Sequence, residues 1–500
     1  GAAGRPGVTR RRLGHAAAAA LALLLAAGGA AAQADRAAPS GSARPQNGVP
    51  AAAGSGMAPL PVGSQAAPLT LAAAEARLLE RNLAVLAARR GVDAARAQRL
   101  VASSLPPPVV SAGNTVAQFN ETSRGLQGAR FLSPTNNFSV GLSVLIERGG
   151  KRTLRTRLAE EQIGVAEAQV LDALRTQLFQ LRQGFLGALL ARANLEVALA
   201  NRASLDSTET LLRRQVRDGA IPEGDLLRFQ ASRIVFEADV PNNARAYAAG
   251  VAAVAALLDA DPAAFQPGAG TPAALGLGRG RGVLSPVAFD LRVRFDAPPP
   301  PLGLGREELG AAVASRADVV AATRQAAAAA ANRALAEAAR SRDVTLDTSW
   351  GRTRLQQDLP NAQVNANNTF GLGVSIPIFT GRIVEGNVGV AGAQQSQAEL
   401  AARQALLGAR AEFAAAWAAW EQARALLALY TGGALARAEE AYRSTEQAYA
   451  AGGRSLIDVL DALRTLNQTR LAANQARYAA LLALAALEQA TGVSGIAPRL

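Results

Sequence analysis

The chain has 500 residues and a formal charge of 52 − 39 = +13. It is dominated by Ala and Leu, has few aromatics, and therefore reads as mainly helical with narrow helix–helix contacts. It has no Cys, and its single His, His15, lies in the N-terminal segment, which excludes disulfides, thiol catalysis, His-based triads and zinc sites built on His or Cys. The positive charge is spread thinly along the helices, with no basic run longer than two residues, such as Lys151-Arg152, after the N-terminal segment, so it describes an Arg-rich solvated surface rather than a nucleic-acid footprint.

Residues 1–34 have the pattern of a secretory signal. Arg5, Arg10, Arg11 and Arg12 precede a short apolar run from Ala16 to Ala27, and Ala32-Gln33-Ala34 supplies a small-x-small cleavage site before Asp35. Without those four arginines the charge is 13 − 4 = +9. The apolar run is shorter than the ~20 residues of a spanning helix, and no other run is long enough. A membrane crossing by this chain must therefore use β-strands. Residues 35–68, rich in Ala, Pro, Gly and Ser, read as a flexible lead-in.

A helix pattern covers 69–105 and stops at Pro106-Pro107-Pro108. A strand is expected over 109–119, a polar loop over 120–135, and a strand over 137–147, in which Phe138, Val140, Leu142, Val144 and Ile146 alternate with Ser139, Gly141 and Ser143. The charged turn Glu147-Arg148-Gly149-Gly150-Lys151-Arg152 leads into a helix over 152–218, ~100 Å long at 1.5 Å per residue. Its Leu171, Leu174, Leu178, Leu181, Phe185, Ala188, Arg192, Leu195 and Leu199 alternate spacings of three and four, a coiled-coil seam. Asp218-Gly219-Ala220-Ile221-Pro222 breaks it, and a helix over 224–259 returns antiparallel.

After a Pro/Gly-rich connector, 262–303, the pattern restarts. A helix is expected over 306–341, a strand over 343–354, a polar loop over 355–367 and a strand over 368–379. In the last, Phe370, Leu372, Val374, Ile376 and Ile378 alternate with Gly371, Gly373 and Ser375. Thr380-Gly381-Arg382 turns into a helical region reaching about 451, with a seam of Leu406, Ala409, Phe413, Ala416, Trp420, Ala423, Leu427 and Tyr430 and a kink at Gly432-Gly433. Gly452-Gly453 ends it, and a helix over 455–490 closes the half.

The two alternating strands match position for position at an offset of 232, too long for a solenoid repeat, so the chain is a duplication. The fold expected is mainly α with a small β part, a helix–strand–strand–long helix–helix half occurring at 69–261 and 304–492, with a tail at 493–500. Four strands cannot close a barrel. They form either a small soluble sheet or one share of a barrel built by several chains, and the apolar/small alternation over ~10 residues fits the second.

The duplicated element order resembles the TolC family of outer-membrane efflux factors, as do Gly371-Leu372-Gly373-Val374-Ser375-Ile376-Pro377-Ile378-Phe379 followed by Gly381-Arg382, and the break at 219–225. Tyr449-Ala450-Ala451-Gly452 and Ser455-Leu456-Ile457-Asp458-Val459-Leu460-Asp461 add to the resemblance. It implies a homotrimer with a shared 12-stranded barrel in outer-membrane lipid and a trimeric α-helical barrel across the periplasm. It also implies a passive duct with no cofactor and no catalysis, docked through a periplasmic adaptor protein onto an inner-membrane pump.

The same resemblance assigns residues. The hairpin tips at Gly219, Ala220, Ile221, Gly452 and Gly453 would meet the adaptor. Tyr449 and Arg454, with Asp225 as partner, would latch the entrance, although Gly224 stands where relatives have a hydroxyl residue. Asp458 and Asp461, three apart and so on one helix face, would form two stacked carboxylate rings at the pore entrance, attracting cations; alone, they are equally two solvated surface aspartates. The Glu147–Arg152 turn resembles that of members serving cobalt-zinc-cadmium-type pumps, so divalent heavy-metal cations are the expected cargo. A multidrug or type I secretion duct is the alternative within the fold. A secreted coiled-coil scaffold is the reading from another class, which the matched strands disfavour, and a carboxylate-based hydrolase is a distant third.

Overall fold

The structure, a computed structural model, describes residues 67–115, 137–261, 289–291, 293, 295, 298–355 and 365–500. The expected signal segment, residues 35–66 of the expected lead-in, the end of the strand expected over 109–119, the expected loop 120–135, residues 262–288 of the expected connector and 356–364 of the second expected loop lie outside the described residues.

Residues 69–105 are two helices rather than the one expected: α1 (Leu71–Arg81) and α2 (Leu83–Ser103). Asn82 separates them in an extended conformation. Its side-chain oxygen accepts from the Val85 N–H (3.1 Å), while its Nδ2 donates to the Leu257 carbonyl (3.0 Å). A short amide can replace the helical backbone partner, which is why Asn favours caps over helix interiors.

Strands β2 (Val109–Thr115) and β3 (Asn137–Ile146) follow, after a two-residue β1 (Ala67–Pro68) near the start. Helix α3 (Lys151–Arg217) has 67 residues, and α4 (Glu223–Leu257) returns along it. β4 (Phe289–Asp290) pairs parallel with β1.

In the second half, α5 (Arg306–Ala312) and a 3₁₀ turn (Val313–Ser315) precede α6 (Ala317–Ala338). The helix expected over 306–341 is thus broken at Arg316, which is extended and buried, with Nη1 on Glu412 Oε2 (2.6 Å) and on the Ala490 carbonyl (3.2 Å). β5 (Val344–Leu355) and β6 (Asn365–Ser375) come next. β6 stops short of the expected 379: its pairing with β5 ends at Thr345↔Ser375, and Pro377 has no N–H for a ladder. Helices α7 (Gly381–Leu429) and α8 (Leu435–Ala450) are joined at the expected kink, a π-turn over Tyr430–Ala434 in which Gly433 takes φ +114°. Helix α9 (Leu456–Thr491) completes the half.

The sheet order is β2-β3-β5-β6, antiparallel throughout, so each half contributes a strand pair and β3–β5 joins the halves. Long helix α3 packs against α2, α4, α6 and α9, and α7 against α6 and α9. The expected seams supply the core. Leu181, Phe185, Ala188, Arg192 and Leu195 of α3 are buried, as are Ala409, Phe413, Ala416, Ala423 and Leu427 of α7, whereas Leu171 is exposed. Arg192, 0% exposed, bonds the Leu291 carbonyl and reaches Glu196 (3.4 Å). The end of the connector is core rather than linker, with Leu291, Val293 and Phe295 buried among α1, α3 and α4 residues. The tail is held as well. The Leu500 carbonyl accepts from the Leu71 N–H (2.8 Å), and Ala497 is buried.

Candidate functional site

The sheet and the hairpin tips lie at opposite ends of α3, ~100 Å apart at 1.5 Å per residue over its 67 residues. In an antiparallel ladder directly opposed residues share a face, so the registers sort every side chain. Val110 and Ala112, then Val140, Leu142, Val144 and Ile146, then Val344, Leu346 and Trp350, then Phe370, Leu372 and Val374 form one face, with Thr348 its polar exception. Ser111, Gly113, Ser139, Gly141, Ser143, Thr345, Asp347, Ser349, Gly351, Thr369, Gly371 and Gly373 form the other, with Val109 and Leu145 its apolar exceptions. Among the described residues none covers the far end of the apolar face: Phe370 is 83% and Leu372 77% exposed. The apolar rows end at Phe138, opposite Arg352 and beside Asn114, and Phe138 packs edge-on against Trp350 at 6.2 Å.

The two tips are built alike. After α3, Gly219 (φ +69°) donates to the Val216 carbonyl (3.1 Å) and Ala220 to that of Gln215 (2.8 Å). After α8, Gly452 (φ +77°) donates to the Tyr449 carbonyl (2.9 Å) and Gly453 to that of Ala448 (2.8 Å). Both are Schellman endings, in which only Gly takes the left-handed position without strain. Ile221 is half-buried in a cluster of Leu205, Leu212, Phe229, Phe236 and Leu463 that ties the two hairpins together near their tips.

The helices that leave the tips begin differently. At α9, Ser455 and Asp458 form a reciprocal cap. The Ser455 N–H and hydroxyl donate to Asp458 Oδ2 (3.0 and 2.9 Å), and the Asp458 N–H donates to Ser455 Oγ (3.3 Å). These bonds from the Ser455 backbone and hydroxyl, aided by the charge of Arg454, hold the Asp458 carboxyl below its ordinary value. Asp461 pairs with Arg464 (3.1 Å), both exposed. At α4 the N-cap is Pro222, which has neither hydroxyl nor N–H, so Asp225 at the equivalent third position has no such cap and lies 3.8 Å from Arg228.

The structure brings Asp225 and Tyr449 together across the hairpins. Burial first, and then the negative charge of Asp225, push the Tyr449 phenol up. Arg454 is exposed and acts on Asp458 within its own tip. Three participants escaped the sequence reading: Ser455 as cap, Arg464 as the partner of Asp461, and Arg228 as that of Asp225. The Ser455-Leu456-Ile457-Asp458 spacing is itself a capping signal, and the two arginines stand three residues beyond their carboxylates.

Among the described residues no group of three or more His, Cys, Asp or Glu is placed to hold a metal ion, and no helix is long and apolar enough to cross a membrane. Residues 309–493 match the family described as outer membrane efflux protein. Over that span, a little over a third of the chain, the sequence is similar to this family. No curated protein matches the sequence. Among solved structures, CusC is similar at 20% identity over 85% of this chain and 92% of that one, with a TM-score of 0.64. The outer membrane channel CmeC of Campylobacter jejuni is similar at 18% identity over 84% and 85%, with a TM-score of 0.65. The open state of the Neisseria gonorrhoeae outer membrane channel MtrE is similar at 22% identity over 85% and 89%, with a TM-score of 0.62. The likeness covers both halves, so residues before 309 share the fold of these structures as well.

Proposed function

We propose that three copies of this chain close a 12-stranded barrel in an outer membrane, continue it as an α-helical barrel in the periplasm, and act as the exit duct of a tripartite efflux system. The observation that carries this is the open sheet. Among the described residues β2 and β6 are the open edges, one face is apolar and largely exposed, and the other is small and polar. Lipid tolerates neither open edges nor a polar face turned toward it, so closure by further copies, apolar face outward, is the arrangement that satisfies both faces. In that assembly Gly219, Ala220, Ile221, Gly452 and Gly453 present the adaptor-docking tips, and the pump lies beyond the adaptor. Asp225 and Tyr449, with Arg454, guard the entrance. The cargo proposed is divalent heavy-metal cations, supported by the Glu147–Arg152 turn and by the acidic Asp458 and Asp461; the duct conducts them without a binding site of its own.

The test is planar-bilayer conductance of the detergent-extracted protein. Cation-selective channels are expected, with selectivity weakened in Asp458→Asn/Asp461→Asn. Absence of conductance sinks the duct, and unchanged selectivity removes the two aspartates from the entrance. A deletion strain sensitised to drugs but not to cobalt, zinc or cadmium would reassign the cargo.

A further inference from the structure

The turn at 147–152 does more in three dimensions than it shows in sequence. It meets the turn between α6 and β5. The Arg148 N–H and the Lys151 ammonium both contact Asp343 Oδ1 (3.0 and 2.8 Å), and Gly149, at φ +77°, lies so close to Ser341 that a Cβ there would sit 2.7 Å from it. The end of α2 joins them, since Arg152 Nε donates to the Ser103 carbonyl (2.7 Å). Residues 147–155 and 340–343 therefore gather Arg148, Lys151, Arg152, Arg155, Arg340 and Arg342 in one place against Glu147 and Asp343, a surplus of 6 − 2 = 4 positive charges. Both carboxylates are spent: Glu147 on Arg155, Asp343 on Lys151. Arg148, Arg152, Arg340 and Arg342 are exposed.

This cluster lies directly below the apolar rows, two residues past Ile146 and two before Val344. Beside it opens a cleft of about 550 Å³ lined by Val101, Leu105, Pro106, Leu158 and Leu335, with Arg155 at its side. Exposed Leu100, Val101 and Leu105 extend the apolar surface to it. An apolar cleft beside a cluster of cations, at the edge of an apolar band of strands, is complementary to an acyl chain joined to a phosphate.

We infer that Arg148, Arg152, Arg340 and Arg342 form a headgroup site for an anionic phospholipid of the leaflet facing the periplasm, with the adjoining cleft taking an acyl chain. The inference rests on the membrane-barrel reading, and it names a lipid partner at the foot of that barrel.

The full chain in neutral detergent is titrated with phosphatidylglycerol, phosphatidylcholine or inorganic phosphate and read by native mass spectrometry. Phosphatidylglycerol is expected to be retained roughly tenfold over phosphatidylcholine at low salt, less at high salt. The preference is lost in Arg148→Gln/Arg152→Gln/Arg340→Gln/Arg342→Gln and halved in Arg340→Gln/Arg342→Gln, should the quadruple variant fold poorly. Equal retention of the two lipids, an unchanged preference in the variants, or displacement by inorganic phosphate alone overturns the site. So does dissociation of the oligomer in the variants, which would make the cleft a subunit contact. If the protein is monomeric and soluble without detergent, the barrel reading fails instead, and flotation with phosphatidylglycerol vesicles, lost in the quadruple variant, still decides the lipid site.

Discussion

Ser455 decides what Asp458 does. With the hydroxyl and N–H of Ser455 on its carboxylate, Asp458 is first a helix cap and only then a surface charge. Its folded value is held below the unfolded one, so the cap contributes above the unfolded value and is lost as pH falls through the lowered folded one. Ser455→Ala is expected to remove part of that depression, moving the loss to higher pH. Hydrogen exchange of the first turn of α9 across acidic pH checks this, and identical profiles for the two proteins would count against the cap. Asp225, at the matching position of the other tip, is released from capping by Pro222 and is instead the charge beside Tyr449. One duplicated carboxylate has thus acquired two roles because one residue upstream differs.

At the scale of the element, the alternation in β3 and β6 was legible because a period of two forces side chains to opposite faces whatever the strand's neighbours. β5 was less plain, since Thr348 and Asp347 blur its pattern. Only its register, Leu142↔Thr348 and Val144↔Leu346, assigns its faces. The contrast between faces predicts a contrast in cost. Leu142→Arg, on the exposed apolar face, should weaken insertion by ~2–4 kcal/mol if it lies at mid-bilayer, and Ser143→Arg, one residue on, should cost much less. Folding yields into lipid vesicles measure both, and equal losses would deny that the apolar face meets lipid. The helices were read well where seams set them and poorly at Asn82 and Arg316. There a capping amide, or an arginine drawn inward by Asp318, Glu412 and a carbonyl, broke a continuous apolar pattern.

At the scale of the whole molecule, one chain leaves too much apolar surface uncovered. Besides the sheet, α7 exposes Leu400 and Leu407 on the side away from its buried seam, and Ile383 and Val390 on its flank, beside buried Val384 and Ala391. The spacings 383–390 and 400–407 are heptads, the separation at which a second helix would meet them. Leu400→Glu/Leu407→Glu is expected to convert the proposed trimer, solubilised in detergent, into folded monomers, seen as a threefold fall in mass with unchanged helicity. A variant that stays trimeric would place the subunit contact elsewhere. The amino-acid sequence by itself determined the duplication, the faces of β3 and β6, the long helices and the glycine-marked tips, because periodicity and backbone preference are local. Only the tertiary structure decided which charges stand together. The charge of Asp225 acts on Tyr449, the Glu147–Arg152 turn reaches residues 340–343, and Arg182 of α3 lies buried between Glu75 and Glu488. Such pairings join residues far apart in the chain, and electrostatic contact depends on distance in space, which no local pattern encodes.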